Sequence, residues 1–251
     1  MNSIISIVTP VHGESTKYLA EAYESLKSQT LPAGWSWEWL IQEDGQDGEA
    51  AKFVADDPRI RISSSRRGGP HVARTMALAR ATGQFVKNLD SDDVLTASAL
   101  ARDIAVLLEN PDVGWVTSRV LDLLPDGSTV GFDQDPPHGV IERGAVLAHW
   151  RSHNYRAQVH PATICIRREL VLALGGWMAL PSSGDTGLLM AADAVAEGFF
   201  VEETGLLYRK WPGQITNHPD HHNDEWVTRM QVIEARAECL AALFSGRRVS
   251  L

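Results

Sequence analysis

Gln84-Phe85-Val86-Lys87-Asn88-Leu89-Asp90-Ser91-Asp92-Asp93-Val94-Leu95 reads as a short apolar strand that runs into three carboxylates, Asp90, Asp92 and Asp93. Two like charges about 4 Å apart repel by roughly 4 kcal/mol at an effective dielectric near 20. A fold that gathers three of them needs an offset. Hard oxygen ligands of this kind suit Mg²⁺ or Mn²⁺, which bind through one or two carboxylates together with substrate phosphates. The bland alternative is an acidic helix start, with Asp93 as N-cap and the other two solvated.

Working outward, the same strand-then-loop pattern repeats upstream. Ile4–Val8 is a β-branched run ended by Thr9-Pro10, and Leu19, Tyr23 and Leu26 follow at helical spacing within residues 15–29. Trp37–Gln42 is a second strand, stopped by turn residues over 43–48, and Arg59–Ser63 is a third. Arg66-Arg67-Gly68-Gly69-Pro70 opens a helix carrying Val72, Met76 and Ala79, which Gly83 ends. Strands alternating with helices predict an α/β fold whose ligand site lies beyond the carboxyl ends of a parallel sheet. Loops 9–14, 43–48, 64–70 and 90–94 all fall on that edge.

Downstream, a helix is expected over Thr96–Glu109, strands over Val113–Leu121 and Ala162–Ile166, and a surface excursion over 125–140. Ser182-Ser183-Gly184-Asp185 has the chemistry of a helix start. The span Asp224–Phe244 predicts a final helix that packs on the body or on a second subunit as a homodimer contact.

Composition narrows the class. The 251 residues, 44% of them apolar, suffice for a sizeable core, and the net charge of −9 argues against general nucleic-acid binding. No apolar run approaches the roughly 20 residues of a transmembrane helix, and the start lacks the basic region of a signal peptide, so a cytoplasmic protein is expected. Cys165 and Cys239 are isolated, which predicts buried or half-buried thiols.

Thr9-Pro10-Val11-His12, Ser25-Leu26 with Gln29-Thr30, Glu43-Asp44-Gly45 and Leu89-Asp90-Ser91-Asp92-Asp93, in this order and spacing, resemble a family-2 glycosyltransferase of the GT-A fold. The likeness is firm over about the first 115 residues and continues at His160-Pro161-Ala162, Gly175-Gly176-Trp177, Asp185 and Tyr208-Arg209. It implies a mainly parallel sheet flanked by helices. The catalytic domain would span 1–215, with a nucleotide-binding half at 1–115 and an acceptor half at 116–215, followed by a helical extension at 216–251. Thr9, Pro10, Val11, Glu14 and Asp44 would cradle the base of a UDP- or dTDP-sugar, with Ser91 also on the nucleotide. Arg67 and Arg74 would approach the diphosphate, Asp90 the ribose and metal, and Asp92 the Mg²⁺ or Mn²⁺, with Asp93 in support. Asp185 would be the general base of an inverting transfer to a hydroxyl of a glycan, lipid-linked sugar or small molecule.

Several positions depart from the family's pattern. Gly184 stands where a second carboxylate often precedes the base, and Thr75 where Asn is common. Trp211 stands where many relatives carry His as a metal ligand, which leaves His218 as a candidate for that role. Trp177 and His160 read equally well as acceptor-pocket or packing residues, and Trp35, Trp37 and Trp39 as strand packing. Two other motifs compete for the acidic stretch, and one further reading concerns the chain as a whole. An EF-hand starting at Asp90 fails, because Leu95 and Ala101 stand at its Gly and Glu positions. A haloacid-dehalogenase-like phosphatase also begins Asp-x-Asp-x-Val but lacks its later acidic motif. A non-catalytic nucleotide-sugar-binding module would need only the first half of the chain.

Overall fold

The computed structural model describes residues 3–45, 48–217 and 225–245. Strands β1 (Ser3–Val11), β2 (Trp35–Asp44), β3 (Ile60–Ser65) and β4 (Phe85–Asn88) are the four expected upstream, β2 running two residues further at each end. Between them lie α1 (Leu19–Lys27), preceded by a 3₁₀ turn over Gly13–Tyr18, and α2 (Pro70–Leu78). The remainder comprises β5 (Val94–Leu95), α3 (Ala99–Glu109), β6 (Val113–Leu123), β7 (Thr129–Val130), β8 (Gly139–Ile141) and α4 (Ala145–Ser152), then β9 (Cys165–Arg167), α5 (Arg168–Ala173), α6 (Gly184–Val195), β10 (Glu197–Arg209) and α7 (Glu225–Leu243).

One sheet runs β3-β2-β1-β4-β9-β6-β10-β5, with β7 paired to β6 and β8 to β10. Its long pairings, β1 with β2 and β4, β2 with β3 and β6 with β10, are parallel. The short β9 is antiparallel to both β4 and β6 and joins the two parallel groups. Alternation along each strand sends neighbouring side chains to opposite faces. Thus Phe85, Trp39, Cys165 and Val201 pack with α1 and α3, while Val86, Leu40, Ile166 and Phe200 pack with α2 and α4–α7. The result is helix, sheet, helix. Met230, Ile233 and Ala237 of α7 are buried in the second of these cores, so the final helix packs on its own chain.

Two open readings are resolved and one expectation changes. Helix α3 starts at Ala99 behind Ser98, so Asp93 is not its N-cap. Cys165 is buried as expected, but Cys239 is exposed on α7. Trp177 is buried as a packing residue, and no stacking platform exists there.

Thr9 also departs from its expected place at the nucleotide. Its side chain is fully buried. The hydroxyl donates to the Leu89 carbonyl (2.6 Å) and accepts from Trp39 Nε1 (2.7 Å), bracing β1, β2 and the end of β4 where the site loops depart. Thr9→Val keeps the shape and leaves both partners buried and unpaired, which costs about 1–3 kcal/mol per group. Urea unfolding should therefore show a lower midpoint at an unchanged slope.

Candidate active site

The carboxyl ends of β1, β2 and β4 deliver three loops to one edge, at the reversal of strand order between β1 and β4 where open α/β sheets bind ligands. They open onto a cleft of about 790 Å³, within the size range of small-molecule sites. Pro10, Val11, Glu14, Asp44, Arg67, Arg74, Asp90, Ser91, Asp92 and Asp185 all line it. Thr9 and Asp93 do not. His218 lies outside the described residues.

Asp44 ends β2, and its carboxylate holds the 68–70 loop. Oδ1 accepts the N–H groups of Gly68 (2.6 Å) and Gly69 (3.0 Å), and Oδ2 accepts Gly69 N–H again at 3.0 Å. Gly69 takes φ 91°, a left-handed value that only glycine adopts freely, and α2 starts behind it. A carboxylate offers about four lone-pair sites. Three are taken, which leaves one on Oδ2 of a residue that lines the cleft. Arg67 is exposed on this loop, whereas Arg74 is buried, ion-paired with Asp90 and in contact with His71.

The acidic pair carries more charge than its surroundings offset. Burial and the charge of Asp90 push the Asp92 carboxyl up, against the indole N–H of Trp211, which donates to Asp92 Oδ2 at 2.7 Å. Trp211 packs edge-on against Tyr18, with the Lys17 ammonium 4.8 Å from the Trp211 ring. An indole N–H is a donor and cannot ligate a cation. Asp93 is buried behind the pair and accepts the Arg209 N–H through Oδ1 (3.0 Å). Burial and the charges of Asp92 and Asp90 push it well above the carboxylate range, and Oδ2 has no hydrogen-bond partner.

Among the described residues no three His, Cys, Asp or Glu side chains gather into a protein-only metal site. The donor set is instead two carboxylates, each with one oxygen committed, Asp90 to Arg74 and Asp92 to Trp211. The uncommitted oxygens fit a hard cation that completes its shell on substrate phosphate and water.

Asp185 sits in the first turn of α6, behind Ser183 at φ 65°, and Oδ1 accepts the Thr186 N–H at 2.8 Å. Burial raises its pKa, but His71, Arg74, the Thr186 N–H and His160 outweigh that and hold it below the ordinary value. It is therefore ionised at neutral pH. His160 caps the 3₁₀ turn at 161–163 with its ring nitrogen and lies 4.8 Å from the Tyr208 ring, and both residues line the cleft. His71 was not anticipated from the chain. It adjoins Gly-Gly-Pro at the start of α2, and the unusual Gly184 was the other half of its signal.

The family model for glycosyl transferase family 2 matches residues 6–145. An O-antigen biosynthesis protein of Myxococcus xanthus is 32% identical over 181 residues, 69% of this chain and 13% of that protein. A chondroitin synthase of Pasteurella multocida is 26% identical over 161 residues, 61% of this chain and 16% of that protein. The chain thus spans a small fraction of these relatives' length. S. aureus TarS, solved in complex with UDP-GlcNAc, superposes with a TM-score of 0.72 at 19% identity, covering 98% of this chain and 72% of that one, and so shares the fold. Among the described residues no helix is long and apolar enough to cross a membrane.

Proposed function

The chain belongs to glycosyl transferase family 2, and from that premise we propose that it moves a sugar, with inversion, from a UDP- or dTDP-sugar to a hydroxyl acceptor with the help of Mg²⁺ or Mn²⁺. One observation carries this reading: Asp185 lines the same cleft as Asp44, Asp90 and Asp92. A module that only binds nucleotide-sugars would have no use for an ionised carboxylate there, and family membership displaces the phosphatase reading.

In this assignment the loop from Pro10 to Glu14 flanks the base, and the remaining lone pair on Asp44 Oδ2 accepts the ring N–H of uracil or thymine. Arg67 and Arg74 approach the diphosphate, and Ser91, held by Ser15 at 2.9 Å, sits beside the ribose. Asp90 and Asp92 hold the cation, which when bound offsets the charge gained by the leaving diphosphate. Asp185 takes the acceptor proton as the hydroxyl attacks from the face opposite the diphosphate. The acceptor half would include His160, Ser183 and Tyr208.

A ligand that binds only the folded state at 100 times its Kd adds about 2.7 kcal/mol. For a domain of this size that is a Tm rise of about 5–10 °C. Thermal shifts with UDP, dTDP and UDP-sugars should show such a rise, larger with Mn²⁺ than without. A protein indifferent to every nucleotide, with or without metal, would refute the donor assignment.

A further inference from the structure

His71 has no role in the transfer just described, yet it stands between the acidic pair and the base. It is the second residue of α2, 5% exposed, and it lines the cleft. Nδ1 lies 3.0 Å from Arg74 Nη1, and the Gly184 backbone N–H points at Nε2 from 3.1 Å. Both neighbours are donors. A neutral imidazole has one acceptor nitrogen, and burial pushes this ring's pKa down to about 4 despite the charge of Asp185, so it is neutral at pH 7. His71 can satisfy Arg74 or Gly184, never both.

The Gly184 side is shaped for the ring. A Cβ there would overlap both the His71 ring and the Met178 carbonyl oxygen, so the space where a second carboxylate would begin is filled. The Gly184 N–H is among the first four of α6, which have no partner within the helix. An acceptor at that point fixes the turn that carries Asp185. On the other side Arg74 is tied to Asp90, and its Nε has no partner.

We propose that His71 is a positioning residue that couples donor occupancy to the placement of Asp185, an inference that rests on the donor site proposed above. With the cleft empty, the charge-assisted bond from Arg74 is the stronger and holds the Nδ1 lone pair, so Nε2 carries the proton, cannot accept the Gly184 N–H, and pushes that amide back from the 3.1 Å contact. When a diphosphate draws the guanidinium away, the ring proton exchanges through water from Nε2 to Nδ1. Nε2 then accepts the Gly184 N–H, and the first turn of α6 is seated. The ring's protonation count does not change.

The ¹⁵N shifts of the imidazole nitrogens at pH 7, with and without UDP and Mg²⁺, test this, the His71 signals being assigned by their loss in His71→Gln, or in His71→Asn if the first variant does not fold. The Nε2-protonated form is expected without nucleotide and the Nδ1-protonated form at saturation. Hydrogen-exchange protection of the Gly184 amide should rise about fivefold with UDP, the scale of one hydrogen bond. It should also rise in His71→Gln, whose Oε1 replaces Nε2, but not in His71→Asn. An unchanged tautomer while other cleft resonances respond to UDP overturns the coupling alone. If no resonance responds, the donor site falls and the coupling with it.

Discussion

Asp185→Asn is expected to lower turnover about 10²–10⁴-fold, the range that a positioned general base contributes, while leaving UDP affinity within about twofold of wild type. The substitution keeps the shape and the oxygen that accepts the Thr186 N–H, so the first turn of α6 stays in place. What it removes is the capacity to take a proton. The measurement is UDP release from whichever UDP-sugar stabilises the protein, beside nucleotide binding by calorimetry. Undiminished release would remove Asp185 as base, and a parallel loss of UDP binding would make its role structural.

The pH dependence has a definite sign. Because His71, Arg74, the Thr186 N–H and His160 together outweigh burial, the folded pKa of Asp185 lies below its unfolded value. Its linked stability is present above the unfolded pKa of about 4 and is lost as pH falls through the folded one. The acid limb of kcat/KM due to this group should accordingly lie below the ordinary carboxylate range. A limb near neutrality would assign the proton to another residue.

The parts of this site that were legible in the chain are those that depend on local pattern. The apolar runs of β1, β2 and β4 end in Pro10, Asp44 and Asp90, and a parallel sheet must bring such ends to one edge. What local pattern cannot carry is direction and distance. Thr9 belongs to the right loop, but its side chain faces the sheet interior, a consequence of register. His71 acquires meaning only through Gly184, 113 residues on. Strand β10 is not legible in the chain, because Glu202, Glu203 and Gly205 interrupt its alternation, and its pairing with β6 shifts register at Val201/Thr204 and again at Thr204/Leu206. Strand β9 begins later than its apolar run because His160-Pro161 first turns the chain through a 3₁₀ helix.

Asp92→Ala should abolish the metal-dependent part of UDP binding and lower transfer about 10³-fold, since a cation at the phosphates is worth several kcal/mol to the transition state. Loss of function and loss of fold are separable here. Asp92 is partly buried beside Asp90 and Asp93, and its charge helps to push the Asp93 carboxyl up. Removing it relieves like-charge repulsion, which opposes the loss of the Trp211 hydrogen bond, so the unliganded variant should melt close to wild type. Trp211→Phe makes the opposite change: the indole N–H goes and the carboxylate stays. If the cation is held through the Asp92 oxygens, that variant should keep the Mn²⁺-dependent thermal shift with UDP, with an affinity equal to wild type or tighter. Retention of that shift in Asp92→Ala, or its disappearance in Trp211→Phe, would show that the acidic pair is not what holds the ion.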